Sequence, residues 1–159
     1  DRHGFGNHRK YVSLDAWKEQ GTGAAIQSYV DWVLDAGGDH AERFASLKRA
    51  TPEASFEAMY RSLRGVRQFG RTARFDYLSM LRKLNLIDIR PAHSYLVGAT
   101  GPLTGARLLL RGDPSQGPAK ELQSELAAVG AATGIRPDVF EDAICNWQKH
   151  PDRYVRFSG

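Results

Sequence analysis

From Ala24 to Leu34 the apolar residues Ile26, Tyr29, Val30 and Val33 recur at i, i+3, i+4 and i+7, the spacing that lines one side of an α-helix. Gly37-Gly38 stops that helix, and Asp39 is placed to cap the next, which carries Ala41, Phe44, Ala45 and Leu47. Thr51-Pro52 reads as an N-cap followed by proline at the first helical position. Behind it Phe56, Met59, Tyr60 and Leu63 repeat the helical spacing. Gly65 and Gly70 bracket a short turn, and a further helix is predicted over 71–84 with Ala73, Tyr77, Met80, Leu81 and Leu84 on its buried side.

The stretch 87–101 is irregular, with Ile87 and Ile89 able to make a short extended piece that nothing obviously pairs with. Pro102 opens a helix through about Leu110, and Gly112-Asp113-Pro114 breaks it. Helices over 118–132 (Leu122, Leu126, Val129) and 137–149 (Phe140, Ala143, Ile144, Trp147) complete the pattern. Seven or eight helices without strand alternation, repeat or low-complexity linker make the fold class all-α. The organisation expected is an N-terminal extension over 1–20 and a single helical domain over 21–159.

Composition narrows the class. With 159 residues, 42% of them apolar and 25% charged, the chain is long enough for a complete core and too apolar for disorder. No apolar run approaches the roughly 20 residues that span a bilayer, and no secretory signal is visible. Cys145 is the sole cysteine, so no internal disulfide forms, and a cytoplasmic location in a bacterial or phage-infected host cell is expected. His3, His8, His40, His93 and His150 include no i, i+4 pair, so neither a metal nor another cofactor is expected. Asp1, not a methionine, opens the chain, which allows for an upstream partner domain.

The net charge of +4 matters through its placement. Arg61, Arg64, Arg67, Arg71 and Arg74 fall within fourteen residues that hold no acid. Helical spacing lets all five point away from the Phe56/Met59/Leu63 stripe and gather at the tip of a helix–turn–helix. Arginine presents planar donors that match phosphate oxygens, and clustered positive charge releases counterions from DNA or RNA; the bland alternative is a solvated basic face. Gly70 lets backbone approach a ligand closely, and the N–H groups of Arg71, Thr72 and Ala73 open the next helix toward an anion. The turn resembles the helix–hairpin–helix of the helical DNA-glycosylase superfamily, in which an apolar-Gly step precedes a helix that grips a DNA phosphate. Gly70-Arg71-Thr72-Ala73 lacks the lysine that lyase-type glycosylases of that superfamily carry just after the glycine, and Asp88 lies at roughly the distance of their catalytic aspartate.

Two further segments carry candidate chemistry. Gly98-Ala99-Thr100-Gly101-Pro102-Leu103-Thr104-Gly105 precedes a helix bearing Arg107 and could cradle a phosphate on exposed N–H groups. It lacks the nucleotide P-loop pattern, and a tight turn with Gly105 allowing close helix packing is an equal reading. In the last helix Asp142, Asn146 and Lys149 share a face, with Glu141 and Cys145 beside it. A carboxylate, an amide and an amine so placed can orient a polar substrate and move protons, or simply form a solvated side. Cys145 reads as packing rather than nucleophile.

Together Gly70–Leu78 (GRTARFDYL), Gly98–Pro102 with Gly105–Leu109, and Glu141–Lys149 (EDAICNWQK) resemble the α-glutamyl/putrescinyl thymine pyrophosphorylase group, to which the helical domain of 5-hydroxymethyluracil DNA kinases is related. The resemblance covers roughly 60–157. It implies a helical DNA-glycosylase-like bundle and phage-type hypermodification of DNA thymine, in which an amine or amino acid displaces phosphate from a (pyro)phosphorylated 5-hydroxymethyl group. On matching positions it implies DNA or pyrophosphate contact by Arg71 and Arg74, with Arg64, Arg67, Gly70 and Thr72 beside them. It further implies leaving-group support by Gly98, Thr100, Gly101 and Arg107, a base in Asp142 or Asp76, and substrate orientation by Asn146 and Lys149. The partners implied are DNA, a small amine or amino acid co-substrate, and an upstream domain or kinase. Two other readings stay open: a non-catalytic DNA-binding module of a larger modification protein, and a monofunctional glycosylase using Asp88.

Overall fold

The computed structural model describes residues 17–155. The proposed N-terminal extension falls largely outside the described residues, as do His3 and His8. Among the described residues all regular structure is helical, and no helix is long and apolar enough to cross a membrane. The chain divides after Arg90 into two compact units.

The first unit holds α1 (Thr22–Leu34), α2 (His40–Leu47), α3 (Pro52–Ser62), a 3-10 turn (Leu63–Gly65) and α4 (Arg71–Lys83). Its caps are those the sequence announces. Asp39 accepts from the Glu42 N–H at 2.8 Å, and Thr51 accepts from the Ala54 N–H at 3.1 Å with Pro52 opening α3. Each satisfies one of the donors that a helix start leaves without an intrahelical partner. Phe56, Leu63, Phe75 and Leu78 form the driest part of the unit, and each such side chain contributes about 1.5–3 kcal/mol by leaving water. Phe56 meets Phe75 edge-on at 5.9 Å, joining α3 to α4.

Two helices are rotated from their expected faces. In α1, Ile26 and Val30 stay 59% and 41% exposed, while Ala25, Trp32 and Val33 are buried. Trp32 sets that rotation: its indole N–H donates to Ser62 Oγ at 2.8 Å and its ring lies under the Arg43 guanidinium at 4.4 Å. In α4, Met80 and Leu84 are exposed, whereas Arg71, Ala73, Phe75, Leu78 and Ser79 turn inward. An amphipathic pattern counts apolar residues; an aromatic with a polar handle, or an arginine lying on a ring, packs just as well.

A polar chain ties three helices of this unit together. The Tyr29 hydroxyl of α1 meets the Tyr77 hydroxyl of α4 at 2.5 Å and His40 Nε2 of α2 at 2.9 Å. Burial pushes the Tyr77 hydroxyl well above its ordinary value, and the bond to Tyr29 adds to that rise. Burial likewise raises Tyr29, with the Tyr77 bond acting the other way.

The second unit holds α5 (Gly101–Arg111), α6 (Ala119–Thr133) and α7 (Pro137–Trp147) around Leu96, Ala106, Leu122, Leu126, Phe140 and Ile144. The segment leading into α5 is irregular, as expected, and side chains take up its backbone groups. Gln123 Oε1 accepts from the Leu96 N–H at 2.9 Å, and His93 Nδ1 from the Tyr95 N–H at 3.1 Å. Close contact between α5 and α7 depends on glycine: a Cβ on Gly105 would sit 2.3 Å from the Ile144 carbonyl oxygen, and one on Gly101 2.8 Å from Cys145 Sγ. The buried face of α7 differs from the expected stripe, because Asp138 and Glu141 join Phe140 and Ile144 inside while Ala143 and Trp147 are exposed. The axis against which α7 packs is the Gly105 side of α5, and Ile144 rather than Trp147 faces it.

Two outcomes are expected. Gly105→Ala forces backbone against backbone and should lower the urea-unfolding free energy by roughly 1–3 kcal/mol; an unchanged midpoint would show that the two helices can part without cost. The raised hydroxyls of Tyr29 and Tyr77 stabilise the fold fully below the ordinary tyrosine value of 10.0. Above it the unfolded chain ionises first, so stability falls as pH rises. Urea titrations on either side of that pH should show the fall, and Tyr77→Phe should flatten it.

Candidate functional site

The hairpin between α3 and α4 is built by a tight turn. Val66 is buried, and the Phe69 N–H returns to the Val66 carbonyl at 3.2 Å. Gln68 takes φ +61, a left-handed conformation that favours glycine and costs a non-glycine residue about 1 kcal/mol. Tertiary bonds hold it there: the Arg67 N–H donates to Ser28 Oγ at 2.8 Å, and Gln68 Nε2 to the Gln20 carbonyl at 3.1 Å. Neither bond is readable from local spacing.

The five arginines divide into three environments rather than one tip cluster. Arg61 pairs with Glu57 one turn back on α3. Arg67 extends to the Glu19 carbonyl at 3.4 Å. Arg64, Arg71 and Arg74 gather around Tyr60. Arg74 Nη1 donates to the Tyr60 carbonyl at 3.1 Å, its Nε to the Gly70 carbonyl at 3.3 Å, and its guanidinium lies 4.2 Å over the Tyr60 ring. Burial draws the Arg74 guanidinium below its ordinary value, and the charges of Arg64 and Arg71 pull the same way against Tyr60. Arg71 does not point away from the core as expected. It is only 8% exposed, with its guanidinium 4.8 Å over the Phe75 ring. Cation–π contact with apolar packing along the side-chain stem explains its place.

Gly70 is the N-cap of α4, with φ −63 and no side chain capping the helix. A Cβ added there would meet nothing within 4 Å. Neither backbone conformation nor internal packing therefore requires glycine at this position, and no side chain caps the opening turn of α4, where Thr72 and, across the hairpin, Arg64 are exposed. Asp76 is half-buried on the same helix.

In the second unit the two other motifs meet. Gly98 takes φ +79, and Thr100 caps α5 by backbone alone, with no side-chain bond. Gly101 and Gly105 face α7 and serve the close approach described above, which is the packing reading of that loop. Arg107 Nε donates to the Gly117 carbonyl at 3.2 Å. The expected face exists as a hydrogen-bonded row that runs from α7 into the turn after it: Asn146 Nδ2 donates to Asp142 Oδ1 at 3.2 Å, and Lys149 Nζ, two residues past the helix end, to Asn146 Oδ1 at 3.1 Å. Asp142 and Lys149 are exposed. Cys145 is half-buried against Gly101. Sequence reasoning missed the buried acids: Asp138 is almost wholly enclosed and paired with Arg136 Nε at 3.3 Å, and Glu141 is buried beside it on α7. Only their position in an apolar-flanked helix hinted at this.

Also missed was a cavity of about 730 Å³ in the first unit, walled by α1, α2, α3, α4 and the segment 86–89. Tyr29, His40 and Tyr77 line it, and Lys48 and Asp88 are its charged residues. In the sequence Tyr29 and Tyr77 are members of helical stripes, and His40 is one of five scattered histidines. No periodicity signals that they converge.

The family model for alpha-glutamyl/putrescinyl thymine pyrophosphorylase clade 3 matches residues 2–159. No curated protein and no solved structure matches the chain. A match over nearly the whole length takes in all three motif segments, including the exposed start of α4 and the Asp142–Asn146–Lys149 row. The chain belongs to the alpha-glutamyl/putrescinyl thymine pyrophosphorylase family, clade 3, whose name denotes an enzymatic pyrophosphorylase role in thymine hypermodification.

Proposed function

We propose that this protein is a DNA-modifying transferase acting on thymine whose 5-hydroxymethyl group carries a (pyro)phosphate. The observation that carries the reading is the open start of α4 in a chain of this family: an uncapped helix N-terminus, a glycine that nothing internal requires, and Arg64 and Arg74 beside it. Backbone N–H groups and guanidinium donors together suit a DNA phosphate. The element acts as a helix–hairpin–helix, with Arg67 and Thr72 flanking the grip and Arg71 bracing it from beneath.

The transfer itself is a displacement. The nitrogen of an amine or amino acid attacks the 5-methylene carbon, the carbon–oxygen bond to the (pyro)phosphate breaks, and that group leaves with the bonding electrons. The attacking nitrogen then gives up a proton. Asp142 takes that proton, with Asn146 and Lys149 orienting the substrate; Asp76 is the alternative base. Gly98, Thr100, Gly101 and Arg107 support the leaving group. An upstream domain or partner kinase would supply the phosphorylated base.

Incubating the protein with DNA containing phosphorylated 5-hydroxymethyluracil and an amino-acid mixture should add the donor's mass to that base alone. Asp142→Asn should abolish the gain while leaving DNA binding intact. Salt-sensitive binding without any mass gain would instead assign a non-catalytic DNA-docking module. Gly70→Asp separates grip from fold. A carboxylate at the N-cap should stabilise α4 by about 0.5–1 kcal/mol and raise the melting temperature, yet weaken DNA binding by about tenfold or more through repulsion of a phosphate. Unchanged DNA affinity in that variant would remove the hairpin from the interface.

A further inference from the structure

Several ligands could fill a largely apolar cavity of about 730 Å³, which lies within the range of small-molecule sites, and its wall chemistry decides among them. Phe44, Met59, Leu81 and Ile89 supply apolar surface, and Lys48 and Asp88 cancel in charge. A cationic amine would ask for more than one carboxylate, and a phosphate for more than one cation. The distinctive feature is the His40–Tyr29–Tyr77 chain on the wall.

That chain can run in either direction. With His40 Nε2–H donating to Tyr29 and Tyr29 to Tyr77, the Tyr77 O–H remains to donate into the cavity. With Tyr77 donating to Tyr29 and Tyr29 to an unprotonated His40 Nε2, Tyr77 keeps lone pairs for an incoming N–H. Each hydroxyl is one donor and an acceptor, so the wall can answer a carbonyl or an N–H at the same atom. An uncharged planar ring with alternating C=O and N–H groups fits it, with Phe44 and the tyrosine rings contributing aromatic contact to its face.

We infer that this cavity binds a 2,4-dioxopyrimidine base, read along its polar edge by Tyr77 within the His40–Tyr29–Tyr77 chain. The assignment deepens the proposed function and rests on it for the base being thymine-derived. Its place in the fold agrees. Phe69, the residue before Gly70, lies 6.1 Å from the Tyr29 ring and 5.9 Å from the Tyr77 ring, so aromatic contact runs from the hairpin turn to the cavity wall. Tyr77 stands seven residues along α4 from Gly70, a rise of about 10 Å, comparable to the reach of one nucleotide from its phosphate to the far edge of its base. The volume leaves room for a substituent at the 5-position.

The test uses the full chain with 5-hydroxymethyl-2′-deoxyuridine as probe, followed by calorimetry or ligand-observed NMR. Two variants bear on the cavity by different routes. Tyr77→Phe removes the reading hydroxyl and should weaken the nucleoside by about tenfold. Ala45→Trp fills the cavity from an exposed helix position, leaves the hydroxyl chain in place, and should weaken it at least as much. No nucleoside binding by the wild type, or binding by both variants as tight as the wild type's, overturns the assignment. Such failure with salt-sensitive DNA binding intact leaves the proposed function standing, whereas nucleoside binding without any DNA binding sinks the DNA reading and keeps the cavity's. A single-stranded oligonucleotide of the same base that competes with the nucleoside assigns the cavity to a base carried on DNA. Failure to compete assigns it to the free nucleoside.

Discussion

The hydrogen bond between Tyr29 and Tyr77, 48 residues apart in sequence, is the constraint around which the first unit is arranged. It fixes α1 against α4, and through His40 it brings in α2. The bond lies among rings, with Tyr29 tilted against Trp32, Phe69 and His40 at centroid distances of 5.6, 6.1 and 5.7 Å. Aromatic bodies supply contact area, and the half-buried polar tips pair with one another. The same two rings line the cavity and receive Phe69 of the hairpin turn.

The arginines show how charge is organised by what lies beneath it. Arg74 is held by two carbonyls and a ring, and Arg71 is laid flat on Phe75. Anchoring guanidinium groups this way spends side-chain entropy during folding rather than at binding. Their mutual repulsion is a cost of keeping three cations around Tyr60, visible in the downward pull that Arg64 and Arg71 exert on Arg74. The phosphate proposed to bind there would relieve that repulsion.

The second unit uses glycine where the first uses aromatics. Gly101 and Gly105 let α5 come within backbone contact of α7 at Ile144 and Cys145, and the polar row of Asp142, Asn146 and Lys149 runs from α7 into the turn that follows it. A loop that reads equally as a phosphate cradle or a packing device is shown to serve packing at two of its glycines, while Gly98 and Thr100 remain exposed at the start of α5. Arg111, bonded to both Glu121 and Glu125, fastens α5 to α6.

Much of this protein was legible before folding. Helix starts at Asp39 and Thr51-Pro52, breaks at Gly37-Gly38 and Gly112, the all-helical class and the shared face of Asp142, Asn146 and Lys149 are local properties, set by capping geometry and a 3.6-residue period that operate within a turn or two of the chain. The three motifs that carry the family are local too. What only the tertiary structure decided is which side of each helix faces inward and what its polar residues meet there. Trp32 rotates α1 because Ser62 and Arg43 receive it; Arg71 is buried because Phe75 lies below; Tyr29, His40 and Tyr77 form one chain because three helices converge. Those outcomes depend on partners distant in sequence, and hydrophobic periodicity, which scores each residue alone, carries no information about who the partner is.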